Sequence, residues 1–366
     1  MHRTIRSATE LETSPIYVFR VGHLGDSLVA LPALKALNKV MPDRPLVLIT
    51  NQVTRDEFVP SWEIYKLSRI FSRAFQYVPR NKNLVSNLLE LASMARQLRR
   101  EKGRTLLYFV ENGRSGRSLF LDRLFFEKIC GLEIIGMERA SRRKFERDDA
   151  GHIIPELPEY QRLMNIVVDH FDADRDVSLS ELLPRDLDLC EQVDSYWNLV
   201  PSDAPKVALA PGSKRSSRQW PLDRFAAVGQ HLIDQQMWPI IFGAQHENRL
   251  ARWLMDQWHG IGSNFCGLPI AEATEALRRC VIYVGNDTGV MHLAATVGVS
   301  CVAIFSACDP PEKWRPIGER HVLLRRRVAC EGCMLTACDK KVQQCLESIT
   351  VPDVIEAIDL LLQRRA

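Results

Sequence analysis

Short apolar runs that alternate with amphipathic helical segments constrain the fold of this chain more than any other feature. Residues 16–20 are rich in β-branched and aromatic side chains, and the helical pattern that follows places leucines at every third position from Leu28 to Leu37. A second strand-like run covers residues 46–50. Strand, helix and strand in this order make a βαβ unit, so the pattern predicts a parallel sheet.

The same alternation continues and then begins a second time. Helical periodicity over 83–101 is followed by a strand at 105–110 and a helix at 118–130. An acidic, proline-punctuated stretch over 169–205 then interrupts the pattern and indicates a domain boundary. Beyond it we predict an alternating series, with strands at 206–210, 238–242, 281–284 and 301–305 and helices at 222–235, 247–258, 270–279 and 289–297. The chain is therefore predicted to be an α/β protein with two Rossmann-like, doubly wound parallel-sheet domains.

The domain boundary is placed near residue 190 of the 366 residues. On this interpretation residues 1–190 form the first domain and residues 191–350 the second. The remaining residues, 351–366, contain an amphipathic helix with Val354, Ile358 and Leu361 on one stripe, which we expect to pack back onto one of the lobes.

Composition excludes several other classes of protein. The chain has 46% hydrophobic and 25% charged residues, which is typical of a globular protein. Its 48 Lys and Arg against 45 Asp and Glu leave a net charge of +3 with both signs intermixed, so nothing requires a nucleic acid partner. No apolar stretch is long enough to cross a bilayer, and the first residues lack the apolar region of a signal peptide. We expect a cytoplasmic protein, with peripheral contact to the cytoplasmic face of the inner membrane left open.

Four of the ten cysteines are bunched near the C-terminus, at Cys330, Cys333, Cys338 and Cys345. Their spacing, C-x2-C-x4-C-x6-C, allows four thiolates to surround zinc or an iron–sulfur cluster, but it lacks a second CxxC pair. The alternative is a loop with half-buried thiols and no metal, and we favour it. We therefore expect no metal site and no cofactor.

Three loops that follow predicted strands carry the candidate functional residues, because ligands of open α/β sheets bind beyond the carboxyl ends of the strands. The first, residues 22–26, reads GHLGD and is not a GxGxxG dinucleotide motif. Its Asp26 is either a helix N-cap or a general base. The second, residues 211–221, reads PGSKRSSRQWP. Its glycine, hydroxyls and three cations suit a phosphate better than a merely solvated basic loop, although it is not a Walker motif.

The third loop, residues 284–292, reads VGNDTGVMH and runs from a strand into a helix. Free N–H groups at the helix start, the Thr288 hydroxyl and the close approach that Gly289 permits would form an anion cradle. The alternative is that Asp287 caps the helix and that His292 is satisfied within the first turns. For His292 taken alone we favour this alternative, because a single helical histidine is rarely a ligand.

These loops, in this order, resemble glycosyltransferase family 9, the heptosyltransferases of lipopolysaccharide core assembly. The resemblance covers nearly the whole chain and rests on four segments, of which the part GNDTGVMHLAA is the most specific: FRVGHLGDSLVALPAL, PGSKRSSRQWPLDRFAAVG, FGAQHENRL and FCGLPIAEATEALRRCVIYVGNDTGVMHLAATVG. The cysteine-rich segment also looks like one found in many members. The resemblance implies a GT-B fold, in which two Rossmann-like domains face each other across a cleft, with the nucleotide-sugar donor held mainly by the second.

The resemblance also implies roles for individual residues. Asp26 is the match for the catalytic base, and Arg218 stands where the family has a lysine that neutralises the donor phosphates. The remaining donor-binding expectations are Ser213 and Lys214 at the phosphates, Glu247 at the ribose, the Leu268 backbone at the base, and Asp287, Thr288, Gly289 and His292 in the diphosphate pocket. Residues expected to bind an anionic glycolipid or glycan acceptor are Gly25, Arg114, Arg117, Arg142 and Arg143.

The hypothesis that follows is an inverting, metal-independent glycosyltransferase that moves a sugar, most simply heptose from ADP-heptose, to a lipopolysaccharide core or related surface glycan. Asp26 would deprotonate the acceptor hydroxyl, while cations and the helix start near Thr288 stabilise the leaving diphosphate. One alternative is a family member that uses another nucleotide-hexose donor for an exopolysaccharide or a modified core. Another is a non-catalytic nucleotide-sugar-binding module, and a nicotinamide-dependent oxidoreductase comes third.

Overall fold

The computed structural model describes residues 13–52, 60–77, 84–111, 113–140, 145–198 and 200–365, and the chain divides into two compact units. The first unit comprises Met1–Lys144 and Glu159–Glu181, and the second comprises Phe145–Pro158 and Leu182–Ala366. The sequence placed the border near residue 190 and did not anticipate that the segment 145–158 joins the second unit. Tertiary hydrogen bonds hold that segment there, since the Glu156 N–H donates to the Pro311 carbonyl and Arg147 Nη2 to the Glu331 carbonyl.

The first unit is built on a parallel sheet with the order β3-β2-β1-β4-β5 among its described strands. These strands are β1 (Ile16–Phe19), β2 (Leu46–Asn51), β3 (Phe71–Tyr77), β4 (Thr105–Tyr108) and β5 (Glu133–Ile135). The order runs in opposite directions on the two sides of β1, so the carboxyl end of β1 lies at a topological switch point. The loop that contains Asp26 begins there.

Helices of the first unit follow each strand, as a doubly wound fold requires. They are α1 (Leu24–Leu28), α2 (Leu31–Val40), α3 (Ser61–Ser68), α4 (Leu84–Arg100), α5 (Gly116–Arg123) and α6 (Glu159–Phe171). The single helix predicted over 118–130 is instead α5 followed by a π-helical turn, Leu124–Ile129. That turn brings Phe126 into the core, where its ring centroid lies 4.9 Å from that of Phe19.

The second unit also contains a parallel sheet, with the order β11-β10-β9-β6-β7-β8 among its described strands. The strands are β6 (Lys206–Ala210), β7 (Trp238–Ile241), β8 (Ser263–Asn264), β9 (Ile282–Asn286), β10 (Ser300–Phe305) and β11 (Val322–Arg325). The four strands predicted from the sequence form the middle of this sheet, and the two that were not predicted lie at its edges. The prediction of two Rossmann-like parallel-sheet domains is confirmed.

The helices of the second unit cover its sheet and include the C-terminal segment. They are α7 (Leu187–Trp197), α8 (Leu222–Asp234), α9 (Asn248–Gln257), α10 (Ile270–Arg278), α11 (Gly289–Thr296), α12 (Gln344–Glu347) and α13 (Val351–Gln363). Helix α13 packs on α8 and on β9 to β11 of this same unit, with Val354, Ile358 and Leu361 buried. None of the helices in the described ranges is both long and apolar enough to traverse a lipid bilayer.

Two tryptophans anchor the core of the second unit. Trp220 and Trp258 are each only 1% exposed, and each indole N–H reaches a backbone carbonyl, that of Ile349 at 2.9 Å and that of Ala226 at 2.8 Å. A buried indole normally requires such a partner. Because Ile349 lies two residues before the start of α13, the Trp220 bond also ties the chain to the core where the C-terminal helix begins.

Candidate active site

The second and third loops identified in the sequence meet at the edge of the second sheet where the strands have their carboxyl ends, because β6 and β9 are neighbours. The fully buried Asn286 joins them: its Nδ2 donates to the Pro211 carbonyl at 2.7 Å, and its Oδ1 accepts the Trp220 N–H at 3.1 Å. Sequence reasoning passed over Asn286 as part of the GND run. It makes the two loops one rigid unit.

Arg218 lies at the centre of this edge, in the 3₁₀ turn Ser216–Arg218. Its Nη1 is 3.0 Å from Asp287 Oδ2 and its Nη2 is 2.5 Å from Asp309 Oδ2, while the side chain is only 16% exposed. Burial by itself would lower the pKa of Arg218, but the Asp287 and Asp309 carboxylates outweigh it, and the pKa is raised. The guanidinium is therefore a permanent cation.

One donor of this guanidinium is unused. Arg218 Nε is buried and has no hydrogen-bond partner among the described residues. A buried N–H without an acceptor is costly, and it is rare except where a ligand or water completes the site. The two carboxylates thus hold the guanidinium in place and leave a donor for something that binds.

Asp309 is a site residue that the sequence analysis missed. It follows β10, is 7% exposed, and forms the shorter of the two ion pairs of Arg218. Burial would raise the pKa of Asp309, but Arg218 first of all, and then the Cys308 thiol and Lys313, lower it, so the carboxylate is charged. The rule that functional residues lie at the carboxyl ends of strands would have found Asp309, had it been applied to the strand predicted at 301–305.

Ser213 and Lys214 lie in the same loop but closer to its surface. The Ser213 carbonyl accepts from Gln219 Nε2 at 2.6 Å, and its hydroxyl accepts the Arg215 N–H at 3.4 Å. These bonds fold the loop back on itself. Lys214 is exposed.

Helix α11 begins beside the Arg218 cluster. Gly289 is its first residue and Thr288 precedes it as the N-cap, although the Thr288 hydroxyl makes no capping bond. Asp287 is 5% exposed, and its N–H donates to the Ile304 carbonyl at 3.1 Å, so its carboxylate reaches Arg218 from a fixed backbone. The free N–H groups at such a helix start are donors that an anion can bind.

His292 lies one turn into α11 and is 3% exposed. Burial, the Arg218 charge and His321 lower its pKa from 6.5 to about 3, so the imidazole is neutral at physiological pH. Its Nδ1 is buried and lacks a hydrogen-bond partner within the described ranges. The favoured interpretation, a histidine satisfied inside the helix, does not supply a partner for this nitrogen, so a ligand-binding role for His292 stays a prediction.

Glu247 and Leu268 follow β7 and β8, which lie on the side of β6 away from β9. Glu247 Oε2 accepts the Ala244 N–H at 2.7 Å, and Oε1 lies 1.8 Å from where a Cβ on Gly212 would be. Glycine at position 212 therefore makes room for the carboxylate between the ends of β6 and β7. Leu268 follows β8 in a turn that the Gly267 N–H ties to the Gly243 carbonyl at 2.9 Å, which brings the Leu268 backbone to the same edge.

Asp26 occupies a different helical position from the one predicted. His23 is the N-cap of α1, and Asp26 is the third helical residue, where its Oδ2 accepts the His23 N–H at 2.7 Å. This is the carboxylate half of a capping box. A Cβ on Gly22, whose φ is +148°, would lie 2.6 Å from Asp26 Oδ2, so the tight turn depends on glycine. The carboxylate remains 19% exposed and can reach a ligand while it caps the helix.

Beneath Asp26 lies Arg20, which is fully buried. Its Nε donates to the Asp26 carbonyl at 3.0 Å, and its Nη1 donates to the Phe109 carbonyl and lies 3.4 Å from Glu159 Oε1. Burial would lower the pKa of Arg20, but the Asp26 and Glu159 carboxylates raise it overall. Arg20 thus fixes the backbone of the Asp26 loop.

The residues expected at the acceptor have different environments. Gly25 is the second residue of α1 and adjoins Asp26. Arg114 is engaged within its own unit, because its Nη2 lies 2.7 Å from Asp122 Oδ2 and its Nε donates to the Tyr108 hydroxyl at 3.3 Å. Arg117 is exposed on α5. Arg142 and Arg143 lie outside the described residues.

The cysteine-rich segment contains four free thiols. Burial raises the pKa of the Cys345 thiol. Throughout the ranges that the structure describes, no three His, Cys, Asp or Glu side chains are arranged to hold a metal ion. Whether the segment takes up metal therefore stays a prediction to be tested.

Comparison with known proteins adds independent findings. The family profile described as glycosyltransferase family 9 (heptosyltransferase) matches residues 132–342. Lipooligosaccharide heptosyltransferase 2 of Campylobacter jejuni is 24% identical over 95% of this chain and 98% of its own. Among solved structures, the ADP-heptose heptosyltransferase II of Escherichia coli has a TM-score of 0.66 at 17% identity, covering 96% of this chain and 100% of its own. An iron-containing dodecameric glycosyltransferase of enterotoxigenic E. coli has a TM-score of 0.56 at 15% identity, covering 97% and 78%.

Proposed function

The chain belongs to glycosyltransferase family 9, and from this premise we propose that it transfers heptose from ADP-heptose to a lipopolysaccharide core or related surface glycan. Relatives that match nearly its whole length are named lipooligosaccharide heptosyltransferase 2, and the E. coli structural neighbour is an ADP-heptose lipopolysaccharide heptosyltransferase. Membership of the family makes the chain a glycosyltransferase. The donor, the acceptor and the residue roles below are the proposal.

One observation carries the donor assignment. At the carboxyl ends of β6, β9 and β10, a buried cation and a helix start converge, and two buried nitrogens there, Arg218 Nε and His292 Nδ1, have no partner in the described part of the chain. A diphosphate oxygen can accept a hydrogen bond from the unused Arg218 Nε–H and from the N–H groups at the start of α11. Glu247 and the Leu268 backbone, at the ends of β7 and β8, would then hold the ribose and the base.

In the proposed reaction, Asp26 removes the proton from an acceptor hydroxyl whose oxygen attacks the anomeric carbon. The new carbon–oxygen bond forms as the bond to the diphosphate oxygen breaks, and the electron pair leaves with the nucleoside diphosphate. Attack from the face opposite the leaving group inverts the anomeric centre. Arg218, Lys214 and the N–H groups at Gly289 stabilise the charge that develops on the diphosphate.

With these groups in place the proposed reaction needs no divalent metal. A lone acidic run at Asp172 and Asp174 is exposed in the first unit, and we read it as surface. The iron-containing neighbour makes metal content a quantity to measure. Transfer that is lost in EDTA and returns with a metal ion would overturn metal independence.

On the acceptor side, we propose that the lipid-linked glycan approaches the first unit near Arg117. The neighbouring residues Phe120, Leu121 and Leu124 are 65%, 51% and 41% exposed, an apolar surface beside basic residues. Such a surface suits peripheral contact with an anionic membrane face. Arg142 and Arg143 keep the acceptor-binding role that the family resemblance implies.

Calorimetry and a transfer assay test the proposal together. We expect wild-type protein to bind ADP and ADP-heptose at least roughly tenfold more tightly than UDP, a difference of about 1.4 kcal/mol. It should also release ADP when a heptose-deficient lipopolysaccharide core is added. Tight UDP binding with negligible ADP binding would reject the heptose donor in favour of another nucleotide-hexose. Donor binding with no turnover on any core or exopolysaccharide extract would leave a binding module.

A further inference from the structure

A cavity of about 220 Å³ opens in the second unit next to the Arg218 cluster. Its lining comes from the end of β10, the loop that follows, and β11, and its charged members are Asp309, Glu312, Arg315 and Arg325. None of these residues was assigned a role by the sequence motifs. The volume is below the roughly 300–1,000 Å³ of pockets that enclose a drug-sized ligand, so the cavity suits one part of a nucleotide sugar.

The charges of this cavity are already balanced within the protein. Asp309 pairs with Arg218 at 2.5 Å, Glu312 with Arg315 at 2.6 Å, and Arg325 with Glu331. A wall of paired charges offers no net attraction to a phosphate. It does offer carboxylate acceptors and guanidinium donors side by side, and a polyhydroxylated ligand uses both because each hydroxyl donates and accepts.

Aromatic residues complete the lining. Phe305 and Trp314 lie in the wall, and Trp314 Nε1 is buried with no hydrogen-bond partner in the described residues. The Trp314 ring is held by His292, with 6.3 Å between ring centroids, and by Lys313, whose Nζ lies 5.3 Å from its centroid. A fixed aromatic ring with an unused N–H can pack against the C–H face of a sugar and donate to one of its hydroxyls.

The backbone of the lining loop is also unusual. Glu312, which lines the cavity, has φ +66°, in the left-handed region that favours glycine. A residue held in this conformation often serves a function at a ligand site. Because Glu312 also lines the cavity, its carboxylate is placed where it can contact a ligand.

We propose that this cavity is the subsite for the transferred sugar, with Glu312 and Trp314 reading its hydroxyl pattern. The inference rests on the proposed donor function, because Asp309 joins the cavity wall to the guanidinium proposed to hold the diphosphate. A sugar linked to that diphosphate would enter the cavity directly. The residues of this loop then determine which sugar is transferred, while the ends of β6 to β9 determine which nucleotide is bound.

The test compares affinities for ADP and ADP-heptose in full-length Glu312→Gln and wild type by calorimetry. We expect the variant to bind ADP-heptose about 10- to 100-fold more weakly, as for loss of a hydrogen bond to a charged group, and to bind ADP unchanged. Trp314→Phe keeps the ring and removes the N–H, and should weaken ADP-heptose about 3- to 10-fold. Glu319→Gln changes an exposed carboxylate in the same segment that does not line the cavity, and it should have no effect.

Equal losses of affinity for ADP and ADP-heptose would overturn the sugar subsite. So would unchanged affinities in both variants, provided that their thermal unfolding matches that of wild type. Failure of the proposed function looks different, because wild-type protein would then bind neither ADP nor ADP-heptose. ADP-glucose serves as a second probe. If Glu312→Gln narrows the wild-type preference for ADP-heptose over ADP-glucose, the carboxylate discriminates between sugars.

Discussion

Arg20 and Arg218 follow the first strand of their respective sheets, and each is bound by two carboxylates. Asp26 and Glu159 pair with Arg20, whereas Asp287 and Asp309 pair with Arg218. Arg20 is fully buried and also donates to the carbonyls of Asp26 and Phe109. The Arg218 side chain is 16% exposed, donates to no backbone carbonyl in the described ranges, and leaves its Nε unused.

The difference teaches how to separate a structural arginine from one that binds a ligand. Both cations are held by paired carboxylates, so charge pairing alone does not distinguish them. The two side chains differ in how many of their N–H donors already have partners. Backbone carbonyls accept the remaining donors of Arg20, so Arg20 can only position the Asp26 loop. The Arg218 guanidinium is held in place by two carboxylates but has one N–H donor without an acceptor, which is the arrangement expected of a group that binds a ligand.

The largest expected effect is on kcat, and it distinguishes the two carboxylates that pair with Arg20. Asp26→Asn retains the size of the side chain but removes the base, so kcat should fall about 10²- to 10⁴-fold while ADP affinity is unchanged. Glu159→Gln removes the other carboxylate, which is 1% exposed, and should lower stability rather than kcat. Transfer assays that compare equal amounts of folded protein measure this difference in kcat. Equal loss of kcat in both variants would mean that Asp26 acts only through loop structure.

The second prediction compares the arginines directly. Arg20→Met and Arg218→Met each leave two carboxylates without their cation, and each should reduce the free energy of unfolding by about 3–5 kcal/mol. Only Arg218→Met should also weaken ADP binding. Urea unfolding and calorimetry measure the two effects.

Arg218→Lys is the matched control, because it places a lysine where the family has one. It retains the charge but loses the fork that spans Asp287 and Asp309, so ADP affinity should be nearer to wild type than in Arg218→Met. If Arg20→Met, once shown to be folded, lost ADP affinity as fully as Arg218→Met, the distinction between the two arginines would fail.

The last prediction is a pH dependence of stability from His292. Its folded pKa is about 3 against an ordinary 6.5, so as pH falls below 6.5 the unfolded chain takes up a proton that the folded chain refuses. The free energy of unfolding should therefore fall by about 1.4 kcal/mol per pH unit from this group, between pH 6.5 and 3.

Urea unfolding between pH 4 and 7 should show this slope reduced by about one proton in His292→Gln. His321 differs from His292 in that both of its ring nitrogens have partners. Its Nδ1 accepts the Cys301 N–H at 3.1 Å, and its Nε2 lies 2.8 Å from the Ile317 carbonyl. Identical slopes for wild type and His292→Gln would mean that His292 is not held neutral by burial and Arg218.

The central strands were predictable because their physics is local. β1, β2, β6 and β10 are continuous apolar runs, and a strand covered on both faces must read that way. The edge strands β3 and β8 were missed, since β3 carries several partly exposed polar residues and β8 has only two residues. The π-helical turn after α5 was missed because helical periodicity does not report the number of residues per turn.

By itself, the sequence determined the α/β class, the two sheets and the loops that carry Asp26, Arg218 and Asp287, because apolar periodicity and glycine-bearing turns are encoded within short windows. Only the tertiary structure decided that Asp309, 91 residues after Arg218, is its partner. The sheet order β10-β9-β6 brings three distant strand ends together, and strand order is set by packing across the whole unit. The unused nitrogens of Arg218 and His292 were likewise invisible in the sequence, because a missing partner exists only once all neighbours are placed.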